Sequence, residues 1–182
     1  MHPRTTEVLD FLAEQYEVLR SAVDTVPVAL RDQRPAPDRW SVGEVLDHLA
    51  RVETGITKRL EESIDAARAA GLGPERDATP VLPTVNVARI LDRARPVTAS
   101  VSMLPPPDAV AASAWTSLAE GHDAVVAMLV AADGLALSDV VVPHPVLGAL
   151  NVYQWAVFIA AHEARHASQI AEAGPVLGGS DR

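Results

Sequence analysis

Four long segments of this chain carry apolar residues at steps of three and four, which places those residues on one face of an α-helix. The segments span about residues 6–30, 42–70, 108–132 and 151–173. Amphipathic helices of this length bury their apolar faces by packing against one another. We therefore predict an all-α fold: a four-helix bundle that forms a single domain over residues 1–182, with residues 174–182 as a frayed tail.

The predicted inward faces of the helices differ in polarity. The second helix begins with the capping-box pattern of Ser41 and Glu44, and its stripe is apolar: Val45, Leu49, Val52, Ile56, Leu60 and Ile64. The third stripe includes one histidine: Trp115, Leu118, His122, Val125 and Leu129. The fourth includes two: Trp155, Ile159, His162, His166, Gln169 and Ala173. Because aromatic residues make up only 4% of the chain, Ala, Val and Leu must fill most of the core.

A long proline-rich connection separates the second and third predicted helices. We expect residues 71–108 to run along the surface, with one short helix over 87–94. The connection is long enough to cross the bundle, so the two helices it joins can run parallel. The predicted order of helix directions is therefore up-down-down-up. Another connection, around residues 140–148, precedes the fourth helix, and no clear strand is evident in the chain.

Charge and cysteine content exclude several classes of function. The formal net charge is -9, which disfavours a nucleic-acid-binding surface because phosphate contacts need clustered Lys and Arg. The absence of cysteine excludes disulfides, thiolate metal ligands and a cysteine nucleophile. No apolar run is long enough to span a membrane, and the N-terminus has no signal-peptide pattern. We therefore expect a cytoplasmic protein without membrane or nucleic-acid partners.

Two histidines in the fourth helix are spaced for binding one metal ion. His162 and His166 are four residues apart, so they lie on one helix face with Cβ atoms roughly 6 Å apart. Both occupy inward positions where apolar residues are expected. Two imidazoles stacked in a core favour a shared ligand, although two buried, hydrogen-bonded histidines are the alternative.

The third ligand must come from another helix. His48 is the best candidate because it lies at the inward edge of the second helix, two turns after the capping box. His122 on the third helix is the reserve candidate. His144 lies in a proline-flanked loop and His2 at the N-terminus, so neither is predicted to bind the metal. Neutral imidazoles bind several divalent transition metals, so the sequence does not select one.

The same helix also matches the His-Glu-x-x-His pattern of zinc peptidases, in which the glutamate is the general base. The further histidine of metzincins is missing, since position 172 is Glu and position 169 is Gln. Few residues follow His166, and no strand is evident for binding a peptide. We therefore interpret Glu163 as a solvated acid or one that supports a metal ligand, and Arg165 as part of a surface salt bridge.

Three spaced motifs resemble the DinB-like superfamily of four-helix metalloproteins. They are Trp40-Ser41-Val42-x-Glu44-Val45-x-x-His48-Leu49, His144-Pro145-x-x-Gly148-x-Leu150-Asn151-x-x-x-Trp155, and His162-x-x-Arg165-His166-x-x-Gln169-Ile170. The resemblance implies an up-down-down-up bundle, a zinc or nickel ion held by His48, His162 and His166, and a homodimer. Some relatives are transferases or isomerases that use a low-molecular-weight thiol such as mycothiol or bacillithiol.

We therefore expect a metal-dependent enzyme acting on a small molecule, with a thiol-dependent S-transferase favoured. A metal-dependent hydrolase is the first alternative, and a non-enzymatic stress-response or binding protein with a structural metal is the second. Because the chain has no cysteine, the thiol must arrive as a cosubstrate. Glu44 and Gln169 are candidates for supporting the ligands or lining the pocket, although Glu44 also fits a solvated acid at a helix start.

Overall fold

The computed structural model describes residues 1–94 and 101–178, and within them the fold is mainly helical. Helix accounts for 65% of the structure, and the only sheet in this part of the chain has two strands, which confirms the all-α prediction. The elements are α1 (Pro3–Asp24), α2 (Val42–Ala69), α3 (Val87–Leu91), α4 (Ala111–Ala131), β1 (Val141–His144), β2 (Gly148–Asn151) and α5 (Val152–Gly178).

The start of α2 follows the sequence prediction. The Ser41 side chain accepts a hydrogen bond from the backbone N–H of Glu44, and the Glu44 carboxylate accepts one from the backbone N–H of Ser41. These two bonds satisfy amide groups that the first helical turn leaves without partners. The capping box therefore fixes the first turns of α2, from which His48 projects.

Several predicted helix ends are wrong. α1 ends at Asp24 instead of residue 30, because Pro27 lacks an N–H and the chain turns into a 3₁₀ segment at Val28–Leu30. α4 begins at Ala111 rather than residue 108, and the Ala111 N–H donates to Asp32. α5 does not stop at Gly174-Pro175 but continues to Gly178. Leu177 in this extension packs against the core, while residues 179–182 of the predicted frayed tail lie outside the described residues.

The long helices form two main packing pairs, α1 with α5 and α2 with α4, and the short α3 packs against α5. Two separate apolar clusters fill the interior. One joins the N-terminal half of α1 and the start of α5 to the C-terminal halves of α2 and α4. The other joins the C-terminal parts of α1 and α5 to the N-terminal parts of α2 and α4. Buried polar side chains lie between the two clusters along the helices, and they include Glu53, Thr57, His122 and Glu163.

A β-hairpin precedes α5, so the expectation of no clear strand in the chain is wrong. Val141 pairs with Asn151 and His144 pairs with Gly148 in an antiparallel register. Gly148 has a φ of 85°, a conformation that glycine adopts without strain. The Trp155 indole N–H donates to the Val142 carbonyl at 3.0 Å and so ties the hairpin to α5.

The 71–108 connection is partly buried, contrary to the prediction of a surface path. Val81 and Ile90 contribute buried side chains, and the predicted helix over 87–94 forms as the shorter α3. Residues 95–100 lie outside the described part of the chain. None of the helices described is both long and apolar enough to cross a membrane.

Candidate metal centre

Three histidines that lie far apart in the sequence converge between α2 and α5. His48 projects from α2, and His162 and His166 project from successive turns of α5. One ring nitrogen from each lies within 4.8 Å of the others, so the three form a group that can hold a metal ion. The structure thus brings together the three histidines selected from the sequence, and the reserve candidate His122 is not part of this group.

Hydrogen bonds to the outer ring nitrogens set the tautomers of two of these histidines. His48 Nδ1 lies 2.7 Å from the Met103 carbonyl, and His166 Nδ1 lies 2.9 Å from Gln169 Oε1. Both oxygens are acceptors, so each Nδ1 carries the proton and each Nε2 has a free lone pair. The Gln169 contact is the kind of support that orients histidine ligands in metalloproteins.

The spacing of the ring nitrogens also suits a shared ion. His162 Nε2 and His166 Nε2 are 3.1 Å apart. Two imidazole ligands bound at about 2.0–2.1 Å with a tetrahedral angle between them would be roughly 3.3 Å apart. A common metal ion therefore fits these two nitrogens with little rearrangement.

The surroundings keep all three imidazoles neutral. Burial, and then the ring of His48, lower the pKa of His166 to about 3. Burial, followed by His166 and His48, also lowers the pKa of His162 well below its usual value. For His48, burial lowers the pKa by more than the Met103 hydrogen bond raises it. Deprotonated nitrogens are the form that binds metals, so the site needs no proton release near neutral pH.

Aromatic rings pack against two of the three histidines, His48 and His162. The Phe158 ring stacks on His162 with centroids 5.5 Å apart and an angle of 13° between the planes. The Trp40 ring lies 5.2 Å from His48. His144 packs against Phe158 at 4.5 Å, and its Nδ1 accepts hydrogen bonds from the backbone of the hairpin turn. His144 therefore shapes the wall beside the histidines, and His2 caps the start of α1.

Two side chains near the site differ from their predicted roles. Glu44 is not solvated: it is 1% exposed, and its carboxylate pairs with Arg34 while closing the capping box. These partners make Glu44 part of the α2 start. Arg165 was predicted to lie at the surface in a salt bridge; it is half-buried and donates to the carbonyls of Ile90 and Asp92 at 2.9 and 2.7 Å. It therefore fastens the end of α3 to α5.

A second group of potential ligands lies in the interior. Glu53 on α2, His122 on α4 and Glu163 on α5 bring their ligand atoms within 4.8 Å of one another. Glu163 is 0% exposed, so the prediction of a solvated acid is wrong. Burial, and then the charge of Glu163, raise the pKa of Glu53 well above its usual value. Burial also raises the pKa of Glu163, although His122 partly offsets this effect.

Sequence reasoning missed Glu53, but the sequence contains a signal for it. The buried stripe of α2 includes, at steps of four and three, Leu49, Glu53, Thr57, Leu60 and Ile64. The predicted stripe used Val52 and Ile56 instead, which are only half-buried. An acid within the alternative stripe was therefore visible as a polar residue at an apolar position.

The position of Glu163 also bears on the peptidase interpretation. In His-Glu-x-x-His peptidases the glutamate acts as a base beside the metal. Here Glu163 groups with Glu53 and His122, and its Oε1 lies 3.5 Å from His122 Nδ1. Neighbouring residues of a helix point about 100° apart, so Glu163 faces a different part of the interior from His162. The geometry therefore gives no support to a peptidase.

Comparison with known proteins places this chain in a family. Residues 12–170 match the sequence model of the DinB superfamily. The chain is also 34% identical over 145 residues to the uncharacterized protein YuaE of Bacillus subtilis (strain 168), an alignment that covers 78% of this chain and 81% of YuaE. None of the solved structures matches. With its converging histidines and the match across most of its length, the chain belongs to the DinB superfamily.

Proposed function

We propose that this protein is a metal-dependent enzyme that transfers a low-molecular-weight thiol to a small-molecule acceptor. The cofactor is one divalent transition metal ion, zinc or nickel, held by His48, His162 and His166. The observation that carries the proposal is the number of ligands: within the described residues, the group contains three imidazoles and no fourth protein ligand. Structural zinc sites are closed by four protein ligands, whereas catalytic sites keep a position open.

The open position is where the chemistry takes place. A divalent ion held by the three histidines would act as a Lewis acid and lower the pKa of a thiol or water bound at this open position. The chain itself orients His48 through the Met103 carbonyl and His166 through Gln169. The rings of Trp40 and Phe158 lie against the histidines and limit the approach of water from their sides.

The charges around the site favour an acidic thiol. Arg165 and Arg93 both lower the pKa of His166 by their positive charge, after the larger effects of burial and His48. Glu172 pairs with Arg93 at 2.8 Å and compensates part of this charge; the positive charge that remains favours a thiolate or the carboxylates of a peptide-like thiol. The chain contains no cysteine of its own, so the sulfur must come from a cosubstrate. Hydrolysis by activated water is the alternative that the same open position supports.

We also propose the finer architecture of the bundle. The distribution of helix ends between the two apolar clusters fits the up-down-down-up order, in which the parallel α2 and α4 are joined by the long connection. We also propose the homodimer implied by the family resemblance. Light scattering of the metal-loaded protein would measure its mass, and a monomer at working concentration would contradict the dimer.

A cobalt-substituted protein tests the proposed thiol site directly. Co²⁺ replaces zinc in imidazole sites and gives absorption bands that report its ligands. Addition of small thiols should produce a sulfur-to-cobalt charge-transfer band in the wild type. The His162→Ala/His166→Ala variant should lack both the ion held by the three histidines and the band. His2→Ala, which removes a histidine at the start of α1, serves as the matched control and should resemble the wild type.

Two results would decide against the proposal. Wild-type protein that holds no transition metal, even after reconstitution and elemental mass spectrometry, would contradict the metal centre. Metal that binds while thiols leave the cobalt spectrum unchanged would contradict the thiol cosubstrate and favour hydrolysis. A metal centre inactive in both thiol-transfer and hydrolysis assays would favour a non-enzymatic protein.

A further inference from the structure

The buried group formed by Glu53, His122 and Glu163 lies between the two apolar clusters of the bundle. Its members come from α2, α4 and α5, three different helices. We propose that this group is a second metal site, which binds a divalent ion such as Mn²⁺ or Fe²⁺ through two carboxylates and one imidazole. The site is separate from the three-histidine centre and does not depend on the enzyme activity proposed for it.

The strongest observation is that the polar atoms of this group are buried without partners outside the group. Both carboxylate oxygens of Glu53, both of Glu163, and His122 Nδ1 make no hydrogen bond of good geometry, and the polar contacts they have, Glu53 with Glu163 and Glu163 with His122, lie within the group. Glu53 is 1% exposed and Glu163 is 0% exposed, so solvent does not satisfy them either. Burying a charged or polar group without compensation costs several kcal/mol, and native interiors rarely contain several such atoms together.

The atoms are also close enough to share one ion. One ligand atom from each residue lies within 4.8 Å of the others, and His122 Nδ1 is 3.5 Å from Glu163 Oε1. The latter distance is long for a hydrogen bond, but it is close to the separation of two ligands around a common metal ion. A cation would therefore satisfy atoms that the protein leaves unpaired.

The donor set indicates which ions fit. Two carboxylates would neutralise the charge of a divalent ion inside an apolar core, whereas the three-histidine group carries no negative charge. Carboxylates with one imidazole suit harder ions such as Mn²⁺ and Fe²⁺, and comparable sites in other helical bundles hold these metals. The two groups therefore differ in the metal they prefer.

Neighbouring residues hold this group in place. The Tyr16 ring of α1 stacks on His122 with centroids 4.1 Å apart, which fixes the imidazole plane. Gly121 lies against the acid opposite, since a Cβ atom there would be in ordinary contact with Glu53 Oε2 at 3.7 Å. The Thr57 hydroxyl donates to the Glu53 backbone carbonyl and so does not bind the carboxylate. These contacts hold the side chains of Glu53 and His122 around the position that the proposed ion would occupy.

The experiment uses Mn²⁺ as the probe and the full-length protein. Protein is unfolded in the presence of a chelator, refolded with one equivalent of Zn²⁺ and excess Mn²⁺, and then desalted. Metal is added during refolding because the site is buried and loads best while the protein folds. Elemental mass spectrometry and electron paramagnetic resonance then measure the bound metals. We expect one Zn²⁺ and one Mn²⁺ in the wild type, with nitrogen hyperfine coupling on the Mn²⁺ signal from His122.

The variants separate this site from the three-histidine centre. Glu53→Gln preserves the shape of the side chain and should weaken Mn²⁺ binding by about tenfold or more, while Zn²⁺ is retained. Glu61→Gln, an exposed change on the same helix, should bind as the wild type does. His162→Ala/His166→Ala should lose Zn²⁺ and keep Mn²⁺, so failure of one proposal is distinguishable from failure of the other. His122→Asn should abolish the nitrogen coupling and gives a second test if Glu53→Gln does not fold.

Either of two results overturns the proposal. The first is wild-type protein that refolds with no Mn²⁺ bound, which would mean that a shared proton alone accommodates the carboxylates. The second is Mn²⁺ that binds Glu53→Gln and His122→Asn as tightly as the wild type, which would place the ion elsewhere.

Discussion

Gln169 acts on the candidate metal centre through a single hydrogen bond. Its Oε1 lies 2.9 Å from His166 Nδ1, which keeps the proton on that nitrogen and leaves Nε2 free for a metal. The residue lies three positions beyond His166, so the same helix supplies the ligand and its support. The metal affinity should therefore depend on a side chain that does not touch the ion.

We predict that Gln169→Leu weakens zinc binding by about 10–100-fold, because His166 loses the acceptor that orients it. Gln169→Glu keeps an acceptor at this position and should retain the affinity. Competition with a chromophoric chelator measures both. Gln33→Leu removes an exposed amide and serves as the control. Equal affinities for the wild type and Gln169→Leu would show that this hydrogen bond does not orient the ligand.

Glu44 contributes to folding rather than to the metal centre. Burial raises its pKa, but the hydrogen bonds from Arg34 and Ser41 outweigh that effect and leave the pKa below its ordinary value. A carboxyl group whose pKa is lower in the folded protein than in the unfolded chain stabilises the fold above the unfolded pKa. This stabilisation disappears as the pH falls through the folded pKa.

We predict that Glu44→Gln lowers the free energy of unfolding by about 2 kcal/mol at neutral pH, because the charge-assisted bonds are lost. The gap in unfolding free energy between the wild type and the variant should be narrower at an acidic pH below the folded pKa of Glu44 than at neutral pH, because the wild-type carboxyl is then protonated. Urea unfolding at both pH values measures the gap, and Glu61→Gln provides an exposed control. A gap that stays constant would assign the effect to shape instead of charge.

At the scale of the helix, α2 shows which structural features the sequence pattern predicts and which it does not. The capping box fixed where α2 begins, and the four-residue spacing in α5 identified two histidines of one face. The sequence did not decide between neighbouring stripes of α2, because Val52 and Glu53 both lie three or four residues from apolar positions. Only packing against α4 and α5 determines that Glu53 faces inward. Similarly, Met103 supports His48 from a segment that no periodic pattern marks.

The N-terminus of α2 also lies unusually close to the start of α4. A Cβ atom on Gly43 would overlap the Ala109 carbonyl oxygen and lie 2.9 Å from the Ala111 nitrogen. Both are backbone atoms, so they cannot move aside as a side chain does. The glycine at this position therefore permits close packing of two helices.

We predict that Gly43→Ala lowers the free energy of unfolding by about 1–3 kcal/mol, although alanine favours helix more than glycine does. Gly55→Ala in the same helix is the matched control, because its Cβ would meet only the flexible end of Met103 at 3.4 Å. It should be neutral or stabilising by about 0.5–1 kcal/mol. Chemical denaturation compares the two variants. Equal effects of the two substitutions would argue against the close approach at Gly43.

At the scale of the whole molecule, the candidate metal ligands connect the two helix pairs. α1 packs mainly with α5 and α2 mainly with α4, while direct packing between α2 and α5 is sparser. His48 belongs to one pair, and His162 and His166 belong to the other. An ion bound by all three would therefore link the pairs where direct packing between α2 and α5 is sparse. Sequence periodicity identifies the long helices, but it does not show which of them pack as pairs or where a metal ion would connect the pairs.

This linkage predicts that zinc stabilises the entire fold. The ion binds a geometry that exists only when both pairs are assembled, so it favours the folded state over the unfolded chain. At a free concentration about 1,000-fold above Kd, the gain is about 4 kcal/mol, or roughly 10 °C in Tm for a chain of this size. The clean comparison uses Glu53→Gln protein, in which the second site is disabled, with and without the added changes His162→Ala and His166→Ala. Calorimetry should show a rise in Tm with zinc and its reversal by chelator only when the three histidines are intact. If zinc raised the Tm equally in both proteins, the stabilisation would come from another site and the link between the helix pairs would be refuted.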